Sequence, residues 1–158
     1  PATHAVRVDL RRLLDDGVEK LILIGVRSVC PEEVQLIEED SRIHVFWADQ
    51  IQADDNGRYL KSLSELILKQ DVYLTIDVDG LDPSVIPATG TPEPGGLSWW
   101  QACSVVQATA EVSNIVGMDV TELAPRPDLH AADFATAKFV YFSINQVAKA
   151  RGWLPKRA

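Results

Sequence analysis

The sequence predicts an α/β fold: three layers, α/β/α, with helices on both faces of a mainly parallel sheet. Four short apolar runs alternate with longer stretches of helical periodicity. No two-residue Asn-Gly turn links one run directly to the next, so the connections read as crossovers. Acidic residues collect just past the carboxyl ends of the runs, where such sheets bind ligands.

The elements follow in order. His4 to Asp16 carries Val8, Leu10, Leu13 and Leu14 among Arg7, Arg11 and Arg12. It reads as a helix closed by Gly17. Lys20 to Val26, KLILIGV, is a continuous apolar run, the mark of a strand buried on both faces. Pro31 to Asp40 is a helix with Pro in its first turn and acids beside its positive end. Arg42 to Ala48 is the second strand, and Asp49 to Gly57 a polar loop. Arg58 to Lys69 is a helix with Leu60, Leu63, Leu66 and Ile67 on one face. Val72 to Asp77 is the third strand, again a buried one. Ser98 caps a helix running through Glu111. Asn114 to Thr121 is the fourth strand, with Glu122 at its end, and Asp133 to Ala150 is the final helix. With no repeat, low-complexity segment or linker, residues 1–158 read as one domain.

The 158 residues are 46% hydrophobic, enough for a real core. A net charge of -8 argues against nucleic acid and favours a cationic ligand. No run approaches the roughly 18 apolar residues of a membrane span, and no leader pattern opens the chain. The two cysteines, Cys30 and Cys103, lack metal or redox spacing. Reduced thiols in the cytoplasm are the expectation. The chain opens on Pro1 and enters a helical pattern almost at once, as if cut from a longer protein.

The chemistry concentrates between Tyr73 and Gly96, YLTIDVDGLDPSVIPATGTPEPGG. Asp77 and Asp79, two apart, share a face of an extended strand. Two converging carboxylates repel unless a cation sits between them, and a divalent metal is the usual answer. A plainer reading is an Asx turn in which the carboxylates cap backbone N–H groups. A calcium loop is excluded, because it needs Glu at its twelfth position and Ala88 stands there. A haloacid dehalogenase-type phosphatase box would carry Thr where Leu81 stands, and would lie near the start of the chain. Topology puts Arg27, Asp49, Asp77, Asp79 and Glu122 at the ends of the four strands, and so Asp77, Asp79 and Glu122 on one rim.

IDVDGLDPSVIPATGTPEPGGLS resembles the signature of the ureohydrolases, the arginase and agmatinase family of binuclear manganese enzymes. GMDVTELAP is similar to a second family segment. ATHAVRVDLRR followed by ILIGVRS resembles the family's histidine-led helix and the strand after it. GTPEPGG looks closer to the agmatinase branch than to arginase.

The resemblance implies hydrolysis of an agmatine-like guanidino compound to urea and an amine by a metal-bridging hydroxide, with two Mn2+ ions as cofactor. It implies that Asp77 bridges the metals, Asp79 chelates one, Glu122 and Thr91 meet the cationic guanidino substrate, and His4 shuttles protons. It also implies an oligomer, trimer or hexamer, acting in polyamine metabolism. The family's GGDHS-like and D-A-H-x-D metal segments do not occur here. The chain thus looks like the C-terminal half of an arginase-like fold, its N-terminal part missing, and is expected to bind manganese weakly and to be inactive alone. Two alternatives stand beside this: a non-catalytic fragment or interaction module, and another acidic-loop hydrolase such as a phosphatase.

The remaining candidates read as structural. His44 lies inside a strand. His130, in PDLHAADF, sits in the wrong place for the D-A-H-x-D segment. Asp82 precedes Pro83 and fixes the turn, Asp119 holds the sheet end, and Trp99 and Trp100 pack at a helix start or a subunit contact.

Overall fold

The computed structural model describes residues 12–154. They fall into two compact units that divide between Ala53 and Asp54. Strands and helices alternate through both, and the strand pairs in both are parallel, as the α/β reading requires.

In the first unit, residues 12–15 are helical and Gly17 turns the chain at φ 99°. A side chain rarely adopts this left-handed backbone, which glycine reaches without penalty. Strand β1 (Leu21–Val26) leads to helix α1 (Pro31–Glu39), then to strand β2 (Ile43–Trp47) and a short helix α2 (Ala48–Gln52). The carboxylate of Glu33 reaches back to accept from the Cys30 N–H at 2.8 Å, closing the first turn of α1. β1 and β2 run in register from Leu21↔Ile43, with one slip at Gly25. The core is Leu14, Leu36 and Ile43, packed on Leu21, Leu23, Ile37 and Val45.

Two expectations change here. β1 is half-buried along most of its length, where burial on both faces was expected. Continuous apolar residues specify a strand that can be covered on both sides, while the cover itself depends on what packs there. The expected polar loop after β2 begins as α2, because Ala48 and Ile51, three apart, bury together at 1% and 2% exposure.

The second unit holds helix α3 (Arg58–Ile67), strand β3 (Asp71–Asp77), a 3-10 turn (Val78–Gly80), helix α4 (Trp99–Val112), strand β4 (Asn114–Thr121) and helix α5 (His130–Ala150). Asp54 accepts from the Tyr59 N–H at 2.8 Å, which starts α3 and holds its carboxyl below the usual range. Ser98 caps α4 as its sequence indicates, paired reciprocally with Gln101. α4 packs on α3 and α5. Trp99 meets Phe139 edge-on at 5.6 Å, whereas Trp100 is 75% exposed. α5 begins three residues earlier than its apolar pattern indicates. β3 alternates, with Ile76 buried and Asp71, Tyr73, Thr75 and Asp77 exposed, so one of its faces is open here.

Candidate functional site

Asp77 is the last residue of β3, and its partner across the ladder is Thr121, the last residue of β4. Parallel neighbours in a sheet lie about 4.8 Å apart. The backbone therefore brings the ends of both strands, with Asp77, Asp79 and Glu122, to one edge. That grouping matches the sequence reading. Glu122 has φ 63°, a left-handed backbone unusual for a residue with a side chain. Such conformations concentrate where function aims a side chain.

The chain leaves β3 through a tight turn. One carboxylate oxygen of Asp77 accepts from the Asp79 N–H at 2.8 Å, and Val78 between them is fully buried. The Asx turn weighed from sequence is thus realised, through one oxygen of Asp77. The loop then returns. Asp82 N–H donates to the Leu97 carbonyl and Leu97 N–H to that of Gly80, both at 2.9 Å. The Asp82 carboxylate clamps both ends of the excursion, accepting from the N–H groups of Ser84 (2.9 Å) and Gly95 (2.8 Å). These bonds, led by those from Ser84, hold its carboxyl below the usual range. Asp82 belongs to the turn, as expected. A Cβ on Gly96 would lie 2.6 Å from the Asp82 nitrogen, so only glycine lets the two segments approach.

Two further bonds fix the far side of the loop. The Thr91 hydroxyl donates to Oδ2 of Asp79 at 2.5 Å. The Ala124 N–H, two residues past Glu122, donates to the Ala88 carbonyl at 2.9 Å. The loop that carries Thr91 is thereby tied both to Asp79 and to the segment after β4. Sequence reasoning passed over Thr89, whose hydroxyl oxygen is buried without a hydrogen-bond partner. Its only signal was its place two residues before Thr91. Asp119, expected to hold the sheet end, accepts from the Tyr73 (2.8 Å) and Thr75 (2.7 Å) hydroxyls and stitches β4 to β3.

Asp77 and Asp79 are oxygen donors of the kind that Mn2+ accepts. Among the described residues, no group of three or more His, Cys, Asp and Glu could hold a metal ion, so Asp77 and Asp79 would need further ligands to make such a centre. His44 lies within β2 and His130 opens α5, exposed. His4 lies outside the described residues. Both cysteines are free thiols, and burial pushes that of Cys103 up to about 11. At such a value it is a packing residue rather than a nucleophile.

A family model described as "Arginase family" matches residues 3–144. The chain is 39% identical over 132 residues to the N(1)-aminopropylagmatine ureohydrolase of Synechocystis sp., covering 84% of this chain and 42% of that protein. Against an enzyme of the same name from Thermus thermophilus, identity is 34% over 145 residues, covering 92% and 47%. The solved agmatine ureohydrolase of Thermoplasma volcanium superposes with a TM-score of 0.76 at 27% identity, over 92% of this chain and 48% of that one. The chain thus spans about half the length of the relatives it matches.

Proposed function

Since the chain belongs to the arginase family, we propose that residues 1–158 form the C-terminal portion of a ureohydrolase domain that cleaves an agmatine-like guanidino compound to urea and an amine. The observation that supports this most is the pairing of Asp77 with Thr121, which sets side by side the strand ends that Asp79 and Glu122 follow. The names of the relatives, ureohydrolases of agmatine and aminopropylagmatine, support the substrate class.

Asp77 and Asp79 would hold manganese through their carboxylate oxygens. Manganese held there would lower the pKa of water and make a nucleophile available near neutral pH. Glu122 binds the guanidinium by charge-assisted hydrogen bonds and orients its carbon toward the metal ligands. Thr91 lines the same pocket. His4 supplies the proton that the departing amine needs. The net negative charge of the chain suits a cationic substrate. The intact enzyme is a cytoplasmic homo-oligomer, a trimer or hexamer, of polyamine metabolism.

Two carboxylates leave most of a metal's coordination shell to other ligands. This favours a second statement about the isolated chain: it binds manganese weakly and does not turn over. Urea release from agmatine, with and without Mn2+, tests both. We expect turnover by the intact protein, lost on chelation and regained with Mn2+, and none from residues 1–158 alone. Glu122→Gln should lower kcat/KM of the intact protein by about 10- to 100-fold, the worth of a hydrogen bond to a charge. Metal-independent urea release would defeat the proposal.

A further inference from the structure

We propose that Thr91 is a positioning residue that holds the Asp79 carboxylate in the orientation that receives metal, an inference that rests on the metal role of Asp79 proposed above. The observation is the bond from Thr91 Oγ1 to Asp79 Oδ2, made across twelve positions of sequence. A carboxylate at the end of a short turn can rotate about two side-chain bonds. This hydrogen bond selects one orientation, in which the other oxygen, Oδ1, is buried.

Thr91 can do this because its own place is set independently. The Asp82 carboxylate clamps Ser84 to Gly95, the Leu81–Leu97 bridge closes the base of the loop, and the Ala88 carbonyl is held by Ala124. The donor is also neutral. A hydroxyl occupies one lone pair of Oδ2 and leaves the negative charge for a cation, whereas a Lys or Arg there would neutralise it. A hydroxyl donating to a carboxylate makes a short, charge-assisted bond. Partners that orient a metal-binding carboxylate typically govern metal affinity by about 10- to 100-fold.

The test is Mn2+ titration of the intact protein, with free Mn2+ followed by its paramagnetic resonance signal, in wild type, Thr91→Val, Thr91→Ser and Asp79→Ala. Thr91→Val, nearly the same size, should weaken manganese binding by about 10-fold or more. Thr91→Ser, which restores the hydroxyl, should recover most of it. The metal-free melting temperatures of both Thr91 variants should stay near wild type, which separates positioning from folding. Wild-type manganese affinity in Thr91→Val, with only KM raised, would show that Thr91 serves the substrate alone and would overturn the proposal. Equal titrations of wild type and Asp79→Ala would instead remove the metal role of Asp79, and the positioning role with it.

Discussion

β1–β2 and β3–β4 are the same device built twice: two parallel strands, a helical connection, and residues released at the carboxyl ends. In the first pair those ends deliver Arg27 and Asp49 to a cavity of about 460 Å³ lined also by Val26, Trp47 and Gln50. Arg27 donates back to its own strand at Gly25, and Asp49 accepts from the adjacent Gln50 N–H. In the second pair the released acids are held by a loop that closes on itself through Asp82, Gly96 and Thr91. Strand topology brings polar residues to both ends alike, and the loop after the strand decides how firmly they are held. Charge alone does not distinguish the two ends, because both carry carboxylates.

Neutralising one acid at each end separates the two pairs most strongly. Asp77→Asn in the intact protein should cut urea release by at least about 100-fold, since losing a metal ligand costs at least as much as losing a group that orients one. Asp49→Asn should leave it nearly unchanged. Comparable losses at both would mean that the first pair also carries chemistry.

A smaller effect compares two glycines. Gly96→Ala puts a methyl group 2.6 Å from the Leu81 carbonyl carbon and the Asp82 nitrogen. Backbone cannot swing aside as a side chain can, so we expect a loss of about 1–3 kcal/mol. Gly17→Ala meets no atom within 4 Å and is strained only by its φ of 99°, which costs roughly 1–2 kcal/mol. Denaturant unfolding should rank Gly96→Ala as the more damaging. Only Gly96→Ala should also weaken manganese binding, since only that glycine sits in the acid loop.

The smallest effect concerns acid. Asp54 and Asp82 both lie in the second unit, and hydrogen bonds hold both carboxyls below the usual value. A lowered folded pKa adds stability that is complete above the unfolded value, about 3.9, and is lost as pH falls through the folded one. The second unit should therefore weaken below about pH 4. Asp82→Asn should flatten that loss, measured by fluorescence of the tryptophans across the acid range. An unchanged acid limb in the variant would show that the clamp adds nothing at neutral pH.

Much of this was legible in local patterns. The bounds of β4, the Ser98 cap and the turn-forming role of Asp82 each depend on residues close in sequence, where periodicity and side-chain chemistry act directly. The family resemblance was legible for the same reason: the acid loop is one continuous stretch, so its composition survives as a readable string. α2 was missed because Ala48 and Ile51 are helical through burial, and burial is set by what surrounds them. The open face of β3 was missed because an apolar run states what can be covered and not what covers it.

By itself, then, the sequence determined the order of elements, the parallel class of the sheets and the identity of the acids at the strand ends. Tertiary packing sets Asp77 opposite Thr121 and brings Thr91 to Asp79. Those facts depend on contacts between segments distant along the chain. Such contacts are selected by packing and loop closure together, and no local run of residues encodes them.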